Sequence, residues 1–301
     1  MISNFKKALF RFHTVDDGIL RSEGVVIAML CAYELQFASW FAGNAQVSSL
    51  DAPITYLISL TNFFGTFGTT LNVAKFLLIT FTVIYTFIVT THVFGIKNLL
   101  VKNRTSSAKL QKISAIFFAI QKYFLLIPAL AASSSALGSS DLLWPKTVGG
   151  VLLALICINN LLHSLFKVVL PYSKSSLANL TSYEETKDFA IQVLAAFLST
   201  NYIKRSFINT AEINSTGSVS LGISIPFLII CLLRTMKLTL VPLVNERKYQ
   251  TVHIIFSFSS VYVLVEMILS RGGAATSFPT LIIASLLLKV ILNCRELILI
   301  Q

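Results

Sequence analysis

Long apolar runs separated by short polar or basic connections dominate the chain. They fall at about 24–42, 73–95, 113–133, 148–170, 218–243, 251–270 and 277–292. An α-helix rises 1.5 Å per residue and the hydrocarbon core of a bilayer is roughly 30 Å thick, so about 20 apolar residues cross it. These runs predict membrane spans. An eighth segment, 189–203, is apolar but follows the charged stretch Tyr183-Glu-Glu-Thr-Lys-Asp188. It reads as a short span or as an interfacial helix. The connections expected between spans include the small, polar stretch Ser133–Ser140 and Trp144-Pro145-Lys146.

Two segments depart from the simple pattern. Pro53–Phe64 is apolar over about 18 Å, too short to cross, and runs into the breaker cluster Gly65-Thr-Phe-Gly68 before the next full span. That order predicts a re-entrant hairpin over 53–72, with two tightly turned spans or one long helix as alternatives. At the N-terminus, Phe5, Leu9 and Phe12 recur at helical spacing with Ile2, while Lys6, Lys7 and Arg11 fall mainly opposite. This is the pattern of an amphipathic helix lying in the headgroup region. The charged residues that precede the first apolar run, Asp16 and Asp17 among them, predict an uncleaved first span rather than a signal peptide.

Composition agrees with the pattern. The chain has 301 residues, 55% hydrophobic and 12% charged, with a mean hydropathy of +0.77. A soluble domain carries about 25% charged residues, so this chain cannot coat a water-facing surface. The expected fold is all-α: one polytopic transmembrane bundle over 23–301, with about eight spans (seven to nine bracket the count), preceded by a cytoplasmic segment over 1–22. The formal net charge of +11 does not point to nucleic acid, because the cations sit in short loops between apolar runs. They read as topology signals and as contacts to anionic lipid headgroups on the cytoplasmic face. The loop over 97–112 holds Lys97, Lys102, Arg104, Lys109 and Lys112 and no acid. With both termini cytoplasmic and eight crossings, most of the 24 Lys and Arg fall on the cytoplasmic side. An internal membrane such as the endoplasmic reticulum is the expected location.

Ionisable residues deep in a span cost roughly 2.5–3.5 kcal/mol each and are usually paired or functional. Glu34, Lys122 and Glu266 are the candidates, each near the middle of its run. A Lys122–carboxylate pair would relieve both charges. Pro128, six residues beyond Lys122, kinks that helix and frees a carbonyl. Asn159, His163 and Lys167 form a polar stripe at i, i+4 spacing. His92 and His253 are expected at span ends, and Arg234, Lys237 and Lys289 are expected to snorkel. The cysteines Cys31, Cys157, Cys231 and Cys294 stand alone in apolar runs and suggest neither a disulfide nor a metal.

Signatures of soluble enzyme chemistry are missing from the sequence: there is no GxSxG, HExxH or P-loop. The chain is therefore expected not to be an enzyme, with no cofactor and no metal. The candidate sites imply a small channel or transporter with a mid-membrane polar site. The alternative is a non-catalytic membrane-shaping or scaffold protein of an internal membrane, of the endoplasmic reticulum or nuclear envelope type, which docks partner proteins. A lipid-modifying enzyme is the third reading. Expected partners are the bilayer, a second copy of the chain or other membrane proteins, and no nucleic acid.

The topology makes a direct prediction at the sequons Asn103, Asn179 and Asn214. Translated into microsomes, the chain should gain a glycan at Asn214 alone. Modification of Asn103 instead would invert the arrangement.

Overall fold

The computed structural model describes residues 23–42, 71–101, 120–138, 143–168, 182–198, 221–240 and 247–271, with isolated positions between 56 and 64. Every extended stretch among them is helical: α1 Glu23–Ala42, α2 Leu71–Val101, α3 Leu126–Gly138, α4 Leu143–Val168, α5 Ser182–Leu198, α6 Leu221–Leu240 and α7 Arg247–Arg271. A π-helical turn, Gln121–Leu125, leads into α3. The N-terminal surface helix, Asn214, most of the 53–72 segment, most of the 97–112 loop and the last expected span lie outside the described residues.

Three helical stretches, Glu23–Phe41, Leu71–Phe94 and Leu143–Leu162, are long and apolar enough to cross a membrane. Tyr249–Val265 is a shorter apolar helix. On α2, both faces are apolar. Ala74, Leu78, Phe81, Tyr85 and Ile88 are buried, while Phe76, Ile79, Val83 and Phe87 are exposed. A helix apolar all round needs an apolar surrounding on its outer side. Three of its hydroxyls are bonded within the helix itself. Thr80, Thr82 and Thr86 donate to the carbonyls of Phe76, Leu78 and Thr82, four residues back, which satisfies each hydroxyl inside its own helix.

Pairwise contacts fix the directions of the helices. Phe37 lies against Arg234 and Phe41 against Phe227, so α1 and α6 are antiparallel. Gln250 donates to the Leu238 carbonyl and Ser257 to Thr235, so α6 and α7 are antiparallel too. Glu34 and Asp188 share Arg234, and further on, six residues along α1 and four along α5, Trp40 bonds to Gln192, so α5 runs with α1. In the other half, Lys75 sits over Trp144 and His92 bonds to Asn159, making α2 and α4 parallel. Gln121 bonds to Asn159 while Ser133 reaches Gly149, so α3 opposes α4.

The structure corrects two expected connections. Ser133–Ser135 are not a linker but helical and fully buried. Trp144-Pro145-Lys146 belong to the first turn of α4, where proline's missing N–H costs no hydrogen bond. The reason lies in close packing. Ser133 Oγ donates to the Gly149 carbonyl at 2.7 Å, and a Cβ on Gly149 would stand 2.9 Å from Ala136 Cβ and 3.1 Å from the Ser133 carbonyl. Small residues let the two backbones meet here, as they do in membrane helix pairs generally.

Gly149 and Gly150 should therefore respond differently to substitution. Gly149→Leu should destabilise by about 1–3 kcal/mol through overpacking. Gly150→Ala meets only Leu137 Cδ2 at 3.9 Å and should be neutral or mildly stabilising. Thermal unfolding in detergent separates the two, and equal tolerance at both positions would refute the close contact.

Candidate functional site

The deepest charge is Glu34, whose side chain is 0% exposed. Its carboxylate is fully engaged. Arg234 approaches it as a fork, Nη1 to Oε2 at 2.7 Å and Nη2 to Oε1 at 2.6 Å. His253 Nε2 donates to Oε1 at 2.6 Å. A carboxylate only accepts, so His253 must carry its hydrogen on Nε2. Arg234 also meets Asp188 at 3.3 Å and stacks over the Phe37 ring at 5.4 Å. Bidentate arginine pairs of this kind are the strongest of the charge-assisted bonds. Four helices thus contribute one residue each: α1, α5, α6 and α7.

Lys122 sits beside this cluster. Its ammonium lies 5.2 Å from the Tyr123 ring centroid. It lines a cavity of about 40 Å³ together with Tyr33, Asn160, Asp188, Phe189 and His253. Glu34 is bonded to Arg234 and His253 rather than to the lysine expected from sequence. Nδ1 of His253 is buried and bonds to none of the described residues, and the cavity has room for no more than a few waters.

A second, uncharged chain of bonds runs through the other half. Gln121 Nε2 donates to the Tyr85 hydroxyl at 3.3 Å, Asn159 Nδ2 donates to Gln121 Oε1 at 2.5 Å, and His92 Nδ1 lies 3.2 Å from Asn159 Oδ1. The π turn joins the two networks, because Gln121 serves one and its neighbour Lys122 borders the other. Pro128 explains why the turn is there. Lacking an N–H, it leaves the Phe124 carbonyl without its helical donor, and Gln36 Nε2 of α1 supplies one at 2.8 Å.

Of the residues expected to form a polar site, Glu34, Lys122 and Asn159 come to this one level of the bundle. His163 and Lys167 follow one and two turns further along α4, with side chains outside the described residues. Glu266 stands about 20 Å beyond His253 along α7, and its side chain is likewise not described. His92 and His253 are buried within the bundle, only 8% and 3% exposed. Arg234 does not snorkel. It turns inward, because a buried carboxylate offers it more than water does at that depth. Sequence reasoning missed Asp188, Gln121 and Gln36 altogether.

Depth matters as well. Asp188, Arg234 and His253 are each about six residues, or roughly 9 Å, from the ends of α5, α6 and α7 that share one side. The polar groups form a transverse layer nearer that side. Beyond it, Phe37, Phe41, Phe227, Val263 and Leu264 fill the α1–α6–α7 core. Among the described residues no group of three His, Cys, Asp or Glu could hold a metal ion. No family model, curated protein or solved structure matches the chain.

The Glu34–Arg234 pair should behave as a unit. Glu34→Leu alone leaves Arg234 with a buried, half-answered charge and should cost about 3–5 kcal/mol. Glu34→Leu with Arg234→Leu should recover most of that loss. Thermal unfolding in detergent reads both, and a single variant as stable as the parent would dismiss the pair's structural weight.

Proposed function

We propose that the protein is a non-catalytic scaffold of an internal membrane, a multi-span bundle that holds a fixed shape and docks partner proteins. One observation carries this reading. Among the described residues, the buried carboxylate of Glu34 is fully engaged by Arg234 and His253, Asp188 meets the same arginine, and these groups lie in a single layer across α1, α5, α6 and α7. A permeation route needs successive polar stations through the roughly 30 Å of hydrocarbon. Here the layer spans about two helical turns, and the described α1–α6–α7 core beyond it is aromatic and aliphatic but for hydroxyls such as Ser257 and Ser260, which bond to carbonyls of their own helix. The small cavity beside the layer has too little volume for a hydrated ion. The directions of α1, α5, α6 and α7, and of α2, α3 and α4, alternate as successive crossings would.

A second reading, proton transfer, has one observation in its favour. His253 is bonded to Glu34 through Nε2, while its Nδ1 has no partner among the described residues and its ring borders the cavity with Lys122 and Asp188. A relay of this kind moves protons through a volume that excludes every larger cargo.

Reconstitution into vesicles loaded with a pH-sensitive dye discriminates between the two readings. The scaffold reading expects proton and potassium leak no greater than in protein-free vesicles. Proton flux that His253→Gln abolishes, with the variant still folded, would overturn it and establish the relay.

A further inference from the structure

We propose that the small cavity beside His253 is a site for bound water, entered past Asp188 from the groove between α5 and α6. One nitrogen atom calls for it. His253 donates to Glu34 through Nε2 at 2.6 Å. Its other nitrogen, Nδ1, is an acceptor in the neutral ring and a donor in the charged one, and water can serve either. The side chain is 3% exposed, and Nδ1 bonds to none of the described residues. A buried polar atom without a partner is costly, and an ordered water is the usual answer to it. Glu34 is not among the residues that wall the cavity, so the ring turns its Nε2 edge away and another edge inward. Gln36 Oε1 and Ser135 Oγ are also buried without a described partner. Neither residue borders this cavity or the groove, which sets His253 apart.

The walls select the ligand. Tyr33, Lys122, Tyr123 and Asn160 bring donor groups and Asp188 brings a carboxylate. A buried water needs roughly 10–15 Å³ and about two to four polar partners, so a cavity of about 40 Å³ accepts water and excludes a hydrated ion. A bare cation would share the space with the Lys122 ammonium, and a bare anion with the Asp188 carboxylate. His253 and Asp188 are too few ligands for a metal. An apolar guest would leave Nδ1 unanswered. Water is neutral and both gives and takes hydrogen bonds, so it suits every wall.

Asp188 marks the entrance. It borders the cavity and also the larger groove of about 500 Å³ between α5 and α6. Its side chain is 23% exposed, against 10% for Arg234 and 0% for Glu34. Its contacts with Arg234 are long, 3.3 and 3.4 Å, and a carboxylate has lone pairs for further donors. Water passing from the groove therefore meets an acceptor on its way in. The layer is wetted from one side and faces a mainly apolar core on the other. The site goes beyond both readings of the function: a scaffold uses the water as packing, and a relay uses it as a station.

The full-length protein, with its histidine nitrogens isotope-labelled, is placed in nanodiscs for NMR. The chain has four histidines, and His253→Gln identifies the signals of one. Nδ1 of His253 should show the shift of a hydrogen-bonded nitrogen and should receive magnetisation from water. Leu30→Phe changes an apolar wall residue and no polar group. It should fill the cavity and abolish the transfer. Leu126→Phe fills the same cavity from α3 and replaces the first variant if that one does not fold. Ile191→Trp narrows the groove near Asp188 and should slow the transfer several-fold while the Nδ1 shift stays as in the parent. A parent Nδ1 with the shift of a bare acceptor, a bonded Nδ1 that receives nothing from water, or a transfer that survives filling of the cavity would overturn the site. Transfer as fast in Ile191→Trp as in the parent would overturn the entrance. The vesicle assay reads flux and not occupancy, so this site and the proposed function fail separately.

Discussion

A carboxylate with no exposure to solvent dictates much of what surrounds it. Moving an ionised Glu34 out of water is costly enough that the residue must find a cation and further donors, or else become neutral. The structure answers with Arg234 and His253 at the two oxygens and Asp188 behind the arginine. Because these residues come from four helices, satisfying one charge fixes how α1, α5, α6 and α7 sit against each other. A purely apolar interface would tolerate a slide of one turn. A forked arginine on a caged carboxylate does not, and the pair therefore sets alignment more than it adds stability.

The π turn has a comparable role for the other half. An extra residue in the turn brings Gln121 and Tyr123 to the buried side with Lys122 between them. The carbonyl orphaned by Pro128 becomes the acceptor for Gln36, so a helical defect turns into a contact between helices. Where α3 meets α4 further along, the alignment comes from size instead: Gly149 removes a side chain and Ser133 bonds to the exposed backbone. Bonded polar groups and small residues are the two means by which helices pack tightly where burial of apolar surface gives little preference for one neighbour over another.

Much of the architecture was legible in the sequence, because apolar length is a local property. The limits of α1 and α2 follow from runs of apolar residues that any window detects. The limits of α3 and α4 did not, since serine and proline read as connections when taken alone. They become helical only because a neighbouring helix comes close, which is information from another part of the chain. The same division applies to the polar layer. Glu34, Lys122 and Asn159 stand out as polar residues in apolar runs, and Pro128 announced a freed carbonyl. The partners did not, because Arg234 lies near the end of its run, where snorkelling is the cheaper local answer. Asp188 sits in a charged segment that looks like loop. Only the folded arrangement shows that both reach inward to the same place.

The pairing of Glu34 with Arg234 joins residues 200 positions apart, and that separation has a bearing on biogenesis. During synthesis α1 emerges long before α6, so for most of translation the glutamate has no arginine to meet. In lipid an unanswered charge of this kind costs roughly 2.5–3.5 kcal/mol. The first helix therefore has reason to stay protonated, or to linger beside the insertion machinery or an assisting protein, until the sixth arrives. The polar layer can therefore close only after α6 has been made, however early α1 has folded.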